Sequence, residues 1–198
     1  MPHKAGRRIL LIQGHPDLDP HRLCRALALA YAEGARAAGH RVTEIDVAAL
    51  DVPPLASQQD FEQGAVPDSL VPVVAALEEA DHVVIVFPIW LGGTPARLKA
   101  LFEQLLRPGV AFARGNAPAP VPLLGGRSAR IVATMGMPAF IYRWWFGAHG
   151  VKALDRGILR FVGLAPVRTT LLGAVASASP SRRGRWLARM RAFGAKGV

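Results

Sequence analysis

The sequence predicts a three-layer α/β fold, in which a doubly wound sheet of five parallel strands forms a single domain over residues 1–198. Five short apolar runs are rich in β-branched residues, and most segments between them show helical periodicity. The chain of 198 residues is 51% apolar, which is enough for one sizeable core. Strands that alternate with helices form parallel βαβ units with right-handed crossovers, and no repeat or second domain is evident.

The first half of the chain contains three predicted strands. The strand at 41–47 alternates apolar and polar residues, which is typical of an edge strand with one face in water. Prolines in the stretch 51–68 predict a long loop there. In chain order, the predicted elements are a tail at 1–7, a strand at 8–12, a helix from 23 to a stop at 38–39, the strand at 41–47, a short helix from Asp68 or Ser69 to Glu79 and a strand at 83–87.

The second half continues the alternation around a proline-rich excursion at 108–126, which is predicted to have no regular structure. Thr94 and Pro95 predict the start of a helix, because threonine is a good N-cap and proline suits the first helical position. In chain order, the predicted elements are a helix at 95–106, a strand at 130–134, a helix whose buried face carries Val151, Leu154, Ile158 and Phe161, a strand at 167–172 and a closing helix that buries Trp186, Met190 and Phe193.

The chain is strongly basic, with 24 Lys and Arg against 14 Asp and Glu and a net charge of +10. The arginines are scattered except for a cluster at 182–191, and neither a nucleic-acid-binding motif nor a zinc-ligand spacing accompanies them. We therefore interpret them mainly as residues of exposed helix faces, and expect no nucleic-acid partner and no metal site. Anionic membranes and anionic cofactors are the other partners that such a charge suits.

The sequence is typical of a cytoplasmic protein. Its apolar runs are too short to span a bilayer, and its first residues lack the apolar region and cleavage site of a signal peptide. The single cysteine, Cys24, allows no intrachain disulfide. No basic partner for Cys24 is evident, so we expect a small core residue rather than a nucleophile.

The segment 87–99 carries the most specific functional pattern in the chain. An apolar strand ends at Pro88, and a short apolar, glycine-rich corner leads into the next helix. Open α/β sheets bind ligands outside the carboxyl ends of their strands. Trp90 and Leu91 offer flat surface to a planar ligand, and the glycines at 92–93 allow a close approach to the backbone. An ordinary strand-to-helix connection is the alternative.

The loop after the first strand, residues 13–22, is a candidate phosphate site. Neither of the usual glycine-rich dinucleotide and triphosphate motifs occurs in the chain. The amides at the start of the following helix suit a phosphate, and Arg22 could add a bidentate contact. His15 and His21 could each donate a hydrogen bond there, with loop capping as the alternative. Carboxylates at 17 and 19 would repel a phosphate, so we expect them to cap the loop or to face solvent.

With these residues in view, the chain resembles the flavodoxin-like NAD(P)H:quinone oxidoreductases, the relatives of DT-diaphorase. The resemblance is carried by the His-Pro pair at 15–16, by the segment 87–99, and by the stretches 134–138 and 157–164. It implies a flavodoxin-like fold and a non-covalent flavin, FMN or FAD, stacked on the corner, with its phosphate end at 15–24. Amides of the loop 134–137 would meet the pyrimidine edge of the ring.

The resemblance also implies an enzymatic activity. Hydride would pass from NAD(P)H to flavin N5 and then to a quinone or related acceptor, in ping-pong turnover. Many members carry a hydroxyl residue and Asn in the phosphate loop where this chain has His21, Arg22 and Cys24, so the choice between FMN and FAD stays open. The expected cofactor contacts are His15, His21, Arg22, Leu23, Pro88, Ile89, Trp90, Leu91, Gly92, Thr134, Met135, Gly136 and Met137.

Tyr142 and His149 are the expected catalytic residues. They follow the loop at 134–137 at offsets similar to those of a Tyr and a His in the family. There they could stabilise charge that develops on the flavin or protonate the quinol. The alternatives are that Tyr142 packs in the core and that His149 caps a helix.

The stretch 138–146 is unusually aromatic for a loop. It could form a wall of the substrate pocket, pack into a homodimer interface or rest on a membrane surface. The resemblance implies a homodimer with the flavin site beside its interface, so the first two alternatives are compatible. The family also provides a second function, a flavin-binding regulatory subunit of a membrane potassium-efflux system.

Overall fold

The computed structural model describes residues 6–113 and 120–198. Five of the strands in this part form one parallel sheet, whose order along the sheet is second, first, third, sixth and seventh. In chain order the strands are β1 (Arg8–Gln13), β2 (Arg41–Asp46), β3 (His82–Pro88), β4 (Phe112–Ala113), β5 (Val121–Pro122), β6 (Ser128–Thr134) and β7 (Val167–Leu172). The doubly wound five-stranded sheet predicted from the sequence is confirmed, and β2 lies at its edge as the alternating pattern indicates.

Helices cover both faces of the sheet. A 3-10 turn (Asp68–Leu70) precedes the third helix, and a π-helical segment (Ala153–Leu159) continues the sixth. The α-helices are α1 (Leu23–Ala37), α2 (Gln58–Gln63), α3 (Val71–Glu79), α4 (Ala96–Leu105), α5 (Ala139–Trp144), α6 (His149–Lys152) and α7 (Pro180–Ala195). Within residues 6–113 and 120–198, no helix is long and apolar enough to cross a membrane.

The sheet separates two hydrophobic cores, which gives the fold its three layers. On one face, α1 and α7 pack on the sheet through residues such as Leu27, Tyr31 and Met190. On the other face, α3, α4 and the π-helical segment contribute residues that include Leu98 and Leu154. Residues of β1 and β3 alternate between the two cores, so both central strands are buried on both sides.

Two of the segments predicted to be irregular contain regular structure. The stretch 51–68 includes α2, which begins where the Ser57 side chain accepts a hydrogen bond from the Asp60 amide at 3.0 Å. The excursion 108–126 contains the antiparallel pair β4 and β5. These elements are short and have little apolar periodicity, so the sequence pattern did not reveal them. Residues 114–119 of the excursion and 1–5 of the predicted tail lie outside the described residues.

The start of α4 also differs from the prediction. Pro95 occupies the N-cap position, the helix begins at Ala96, and Thr94 lies outside it. The predicted assignment, with Thr94 as the N-cap and Pro95 as the first helical residue, was therefore wrong by one residue. The backbone of Pro95 is extended rather than helical (φ −54°, ψ 144°), which places the last non-helical residue there.

Glycines allow α1 and α7 to approach each other closely. A Cβ atom at Gly34 of α1 would overlap the carbonyl oxygen of Arg191, and one at Gly194 of α7 would overlap the carbonyl oxygen of Tyr31. Backbone atoms cannot move aside as the end of a side chain can. Packing of the two helices therefore depends on the absence of side chains at both positions.

We expect the substitution Gly34→Ala to destabilise the protein by about 2 kcal/mol or more, because overpacking outweighs the better helix propensity of alanine. Urea denaturation followed by circular dichroism measures this change. Gly184→Ala is the matched control, since Gly184 also lies inside a helix, α7, but has open space around it. It should raise the unfolding free energy by up to about 1 kcal/mol. Equal effects of the two substitutions would contradict the packing account.

Candidate functional site

The candidate site lies where the strand order of the sheet reverses. The chain passes from β1 to β2 on one side and then to β3 on the other, so the connections that leave β1 and β3 diverge at the carboxyl ends of these paired strands. The loops that follow these strands meet there, and the rings of His15 and Trp90 lie edge to face at 5.9 Å. The Ile89 amide donates to the Thr134 carbonyl at 2.7 Å, which brings the end of β6 to the same edge.

A tight turn forms the corner after β3. The backbone groups of Trp90 and Gly93 exchange two hydrogen bonds, both at 3.0 Å. Between them, Leu91 and Gly92 have positive φ values of 47° and 82°. Glycine adopts such a conformation freely, but a residue such as Leu91 loses roughly 1–2 kcal/mol in it. Leu91 is fully exposed and Trp90 half exposed. Strained backbone under an exposed apolar surface is typical of a ligand site.

The side chain of Tyr142 fixes the turn at 90–93 through hydrogen bonds. Its hydroxyl donates to the Gly92 carbonyl at 2.9 Å and accepts from the Val151 amide at 3.3 Å. The side chain is buried, and burial raises the pKa of its hydroxyl. Gly150 also packs against the turn, because a Cβ atom there would overlap the Gly92 carbonyl oxygen. The turn is therefore fixed to α5 and α6 by one side chain and one close backbone contact.

His15 presents a neutral N–H donor beside the corner. Its Nδ1 accepts a hydrogen bond from the Asp17 amide at 3.1 Å, so the proton of the neutral ring is on Nε2. Burial and, after it, the nearby charge of Arg22 lower the pKa of His15, which favours this neutral form. The Gln13 side chain accepts from the His15 amide at 2.8 Å. The buried Nε2 of Gln13 has no hydrogen-bond partner in the described structure.

The charged side chains of the loop after β1 form ion pairs with one another. Arg22 Nε lies 2.8 Å from a carboxylate oxygen of Asp17 and 3.3 Å from one of Asp19. The same two carboxylates cap the loop, because Asp17 accepts from the Asp19 amide and Asp19 from the His21 amide, both at 2.9 Å. Their expected capping role is therefore seen. Arg22 can reach an anion only by leaving its carboxylate partners. The first hydrogen bond of α1 runs from the Arg25 amide to the Arg22 carbonyl at 3.0 Å, so the amides that come before Arg25 in the helix have no intrahelical acceptor.

The loop after β6 contributes less than the sequence predicts. The Thr134 hydroxyl lies 3.2 Å from the Cys24 sulfur, and both residues are buried. Burial raises the pKa of the Cys24 thiol to about 11, so it stays protonated as expected for a core residue. The Met135 side chain lies in the core and its amide donates to the Leu172 carbonyl at 2.9 Å. The side chain and amide of Met135 are thus occupied by protein contacts, whereas Gly136 and Met137 are exposed, and the cofactor contacts expected of this loop stay predictions.

The other predicted residues are spread around the same edge. Leu23 is half-buried at the start of α1, and Pro88 is buried at the end of β3. His149 is exposed at the first residue of α6, with its ring against Gly147. Tyr142 has no proton free for a ligand while it donates to the Gly92 carbonyl. The catalytic roles of Tyr142 and His149 stay predictions.

Comparison with known proteins identifies the family. Residues 7–193 match a family model described as the flavodoxin-like fold. The chain belongs to the flavodoxin-like family. The sheet order of this flavodoxin-like protein, with β1 and β3 at the point of reversal, is the one that the fold requires.

Two relatives and one solved structure show what this flavodoxin-like protein is similar to. It is 25% identical to NAD(P)H dehydrogenase (quinone) 1 of Rattus norvegicus, over 90% of this chain and 73% of the relative. It is 32% identical to the FMN-dependent NADH:quinone oxidoreductase of Alteromonas mediterranea, over 48% of this chain and 53% of the relative. A Bacillus anthracis FMN-dependent NADH-azoreductase, solved in complex with FMN, shares the fold with a TM-score of 0.77 and 15% identity, over 96% and 98% of the two chains. The resemblance predicted from the sequence is confirmed.

Sequence reasoning missed two residues of the site, Gln13 and Gly150. Gln13, whose Nε2 has no partner in the described structure, follows four buried apolar residues of β1. A polar residue at the end of a buried strand was a usable signal. Gly150 gave no such signal, because a glycine within a helical segment has no distinctive sequence context. Its role depends on a contact with Gly92, 58 residues away in the chain.

We expect Leu91→Asn to stabilise the protein by about 1 kcal/mol, because asparagine tolerates the left-handed conformation better than leucine. Thermal unfolding followed by circular dichroism checks this. Leu18→Asn is the matched control, since Leu18 is an exposed loop leucine outside the positive-φ residues and should gain nothing. Equal changes in melting temperature for both variants would show that strain at position 91 does not matter.

Proposed function

We propose that this flavodoxin-like protein is an FMN-dependent oxidoreductase that moves two electrons from NAD(P)H to a quinone or a related acceptor, with ping-pong kinetics. The observation that carries the proposal is the exposed, strained turn at 90–93 beside the neutral donor of His15, at the point where the sheet order reverses. The names of the relatives, NAD(P)H dehydrogenase (quinone) and FMN-dependent NADH:quinone oxidoreductase, support this chemistry.

The residues at the sheet edge fit a flavin. Trp90 and Leu91 offer exposed apolar surface to a planar ring, and a Cβ atom would meet no atom within 4 Å at Gly92 or Gly93. The buried Nε2 of Gln13, which has no partner in the described structure, is a donor that a bound group could satisfy. We infer FMN rather than FAD, because the relatives and the solved azoreductase that name a flavin name FMN.

The phosphate of FMN would be held mainly by uncharged donors. Arg22 is paired with Asp17 and Asp19, so the loop after β1 adds no net cation. The amides at the start of α1 and the Nε2–H of His15 are the groups that remain for it. His21 is exposed in the same loop and could add a further donor.

FMN, when bound, supplies the two-electron chemistry between donor and acceptor. The protein would orient the ring and supply protons. Tyr142 fixes the turn through Gly92, and we propose that this positioning is its part in the reaction. His149 is exposed at the start of α6, one residue before the close contact of Gly150 with the turn, so we propose it as the proton donor to the reduced acceptor.

We expect the protein to bind FMN, and Trp90→Ala to weaken that binding roughly tenfold through the loss of apolar contact with the ring. Quenching of FMN fluorescence during titration with protein measures both affinities. The FMN absorbance bands of the loaded wild-type protein should disappear when NADH or NADPH is added without oxygen.

Trp90→Phe is the conservative control and should retain most of the FMN affinity, because phenylalanine also offers a flat ring. The proposal would be overturned if the wild-type protein failed to bind FMN, or if bound FMN kept its absorbance in excess NADH and NADPH. Unchanged FMN affinity in Trp90→Ala would instead remove only Trp90 from the site.

A further inference from the structure

Four aromatic side chains form an exposed patch on and after α5. Phe140, Trp144, Trp145 and Phe146 are 65, 79, 84 and 52% exposed, and together with Ile141 they line an apolar depression of about 490 Å³. We call these four residues the aromatic patch. Soluble proteins rarely leave a contiguous apolar surface open to water unless something binds it. We therefore interpret the aromatic patch as a binding surface.

A cleft lined by cations lies directly beside the aromatic patch. Its volume is about 560 Å³, and Phe140 and Trp144 belong to both surfaces. The cationic rim of this cleft consists of Arg143, Lys152, Arg156 and Arg189. In the described part of the chain, none of these four side chains has a carboxylate partner.

The acidic residue of the cleft does not neutralise the rim. Asp155 also lines the cleft, but its carboxylate accepts from Arg160 at 2.6 Å. The contacts of Arg143 and Arg189 are with rings, over Trp144 at 5.7 Å and over Phe193 at 5.1 Å. The cleft therefore carries a net positive charge next to exposed tryptophans.

We propose that the aromatic patch and the cationic rim dock this protein on an anionic lipid surface. Tryptophan is enriched at membrane interfaces, where its apolar ring enters the bilayer and its N–H stays among the headgroups. Phosphate groups of anionic lipids supply the negative charge that the rim lacks. One occupant thus accounts for both the exposed aromatics and the unpaired cations.

A second copy of this chain fits the same surface less well. A symmetric contact through the patch would bring the two cationic rims towards each other, and the rim offers no free carboxylate to balance them. A lipid surface with excess negative charge complements the rim instead. Charge complementarity therefore decides between the two occupants.

Docking would also explain how an apolar acceptor reaches the site. The aromatic patch follows the loop at 135–138 directly in the chain, and α6 packs against the turn at 90–93. The turn would then lie close to the surface in which lipid-soluble quinones dissolve. This step rests on the proposed function, whereas docking itself does not.

Sedimentation of the full chain with vesicles tests the proposal. Wild-type protein should bind vesicles of phosphatidylglycerol and phosphatidylcholine at least tenfold more strongly than vesicles of phosphatidylcholine alone, and salt should weaken the binding. Replacing Trp144 and Trp145 with Ala should lower the partition coefficient at least tenfold. Neutralising Arg143, Lys152 and Arg156 with Gln should lower it by roughly fivefold per charge.

The matched control removes the same number of charges elsewhere. Arg8→Gln, Arg36→Gln and Arg41→Gln together neutralise three exposed arginines of β1, α1 and β2, towards the opposite edge of the sheet, and should change vesicle binding much less than the rim substitutions. Circular dichroism and FMN affinity report whether each variant is folded. The vesicle assay needs no turnover, so its result is independent of the proposed enzymatic function.

Three results would overturn the proposal. The first is equal binding of the wild-type protein to neutral and anionic vesicles, or no binding to either. The second is an equal loss of binding in the control and rim variants, which would indicate net charge alone. The third is a dimer, measured by light scattering, that becomes a monomer when Trp144 and Trp145 are replaced while vesicle binding is unaffected, which would make the patch an interface between copies of the chain.

Discussion

The hydroxyl of Tyr142 connects the fold to the candidate site. It bonds to the Gly92 carbonyl and the Val151 amide, and so links the turn after β3 to the helices that follow β6. The turn includes a leucine in the left-handed region, a conformation that the local sequence does not favour. A buried hydrogen bond to a fixed side chain offsets part of that strain. The exposed surface of Trp90 and Leu91 is thereby held ready for a planar ligand.

Charge is distributed unevenly over this basic protein. At the candidate site, the arginines in and beside the loop after β1 are paired with carboxylates, as Arg22 is with Asp17 and Arg25 with Asp46. On the surface beside the site, the cations of the rim at 143–189 have no such partners among the described residues. The net charge of +10 therefore has its effect outside the candidate site rather than within it. Binding of FMN and attraction to an anionic surface would then be separable properties of one chain.

The sequence predicted the sheet because buried parallel strands have a distinctive composition. The runs that form β1 and β3 are almost purely apolar, so their number and the helices between them indicated the fold. The tight turn at 90–93 was also indicated by the sequence, because glycine adopts positive φ freely, whereas its use as a ligand surface stays a prediction. The helix α2 was not, since five of its six residues are polar, only Phe61 packs on the core, and its start depends on the local Ser57 cap.

The contacts within the candidate site could not be predicted from the sequence, because most of them join residues that are far apart in the chain. Tyr142 was expected near the site, but its role depends on a carbonyl 50 residues away, and no local pattern reports such a pair. Met135 has the right position in the chain, but its amide donates to the Leu172 carbonyl and its side chain lies in the core. Arg22 has the right chemistry for a phosphate, yet its partners Asp17 and Asp19 occupy it.

The FMN affinity of Tyr142→Phe tests the central claim most directly. This substitution removes only the oxygen that links Gly92 to Val151, and it keeps the ring that fills the core. If the turn held by Tyr142 is the flavin surface, FMN should bind about tenfold more weakly, in line with the loss of one buried hydrogen bond. The far-ultraviolet circular dichroism should be unchanged. An FMN dissociation constant equal to that of the wild-type protein would contradict the account.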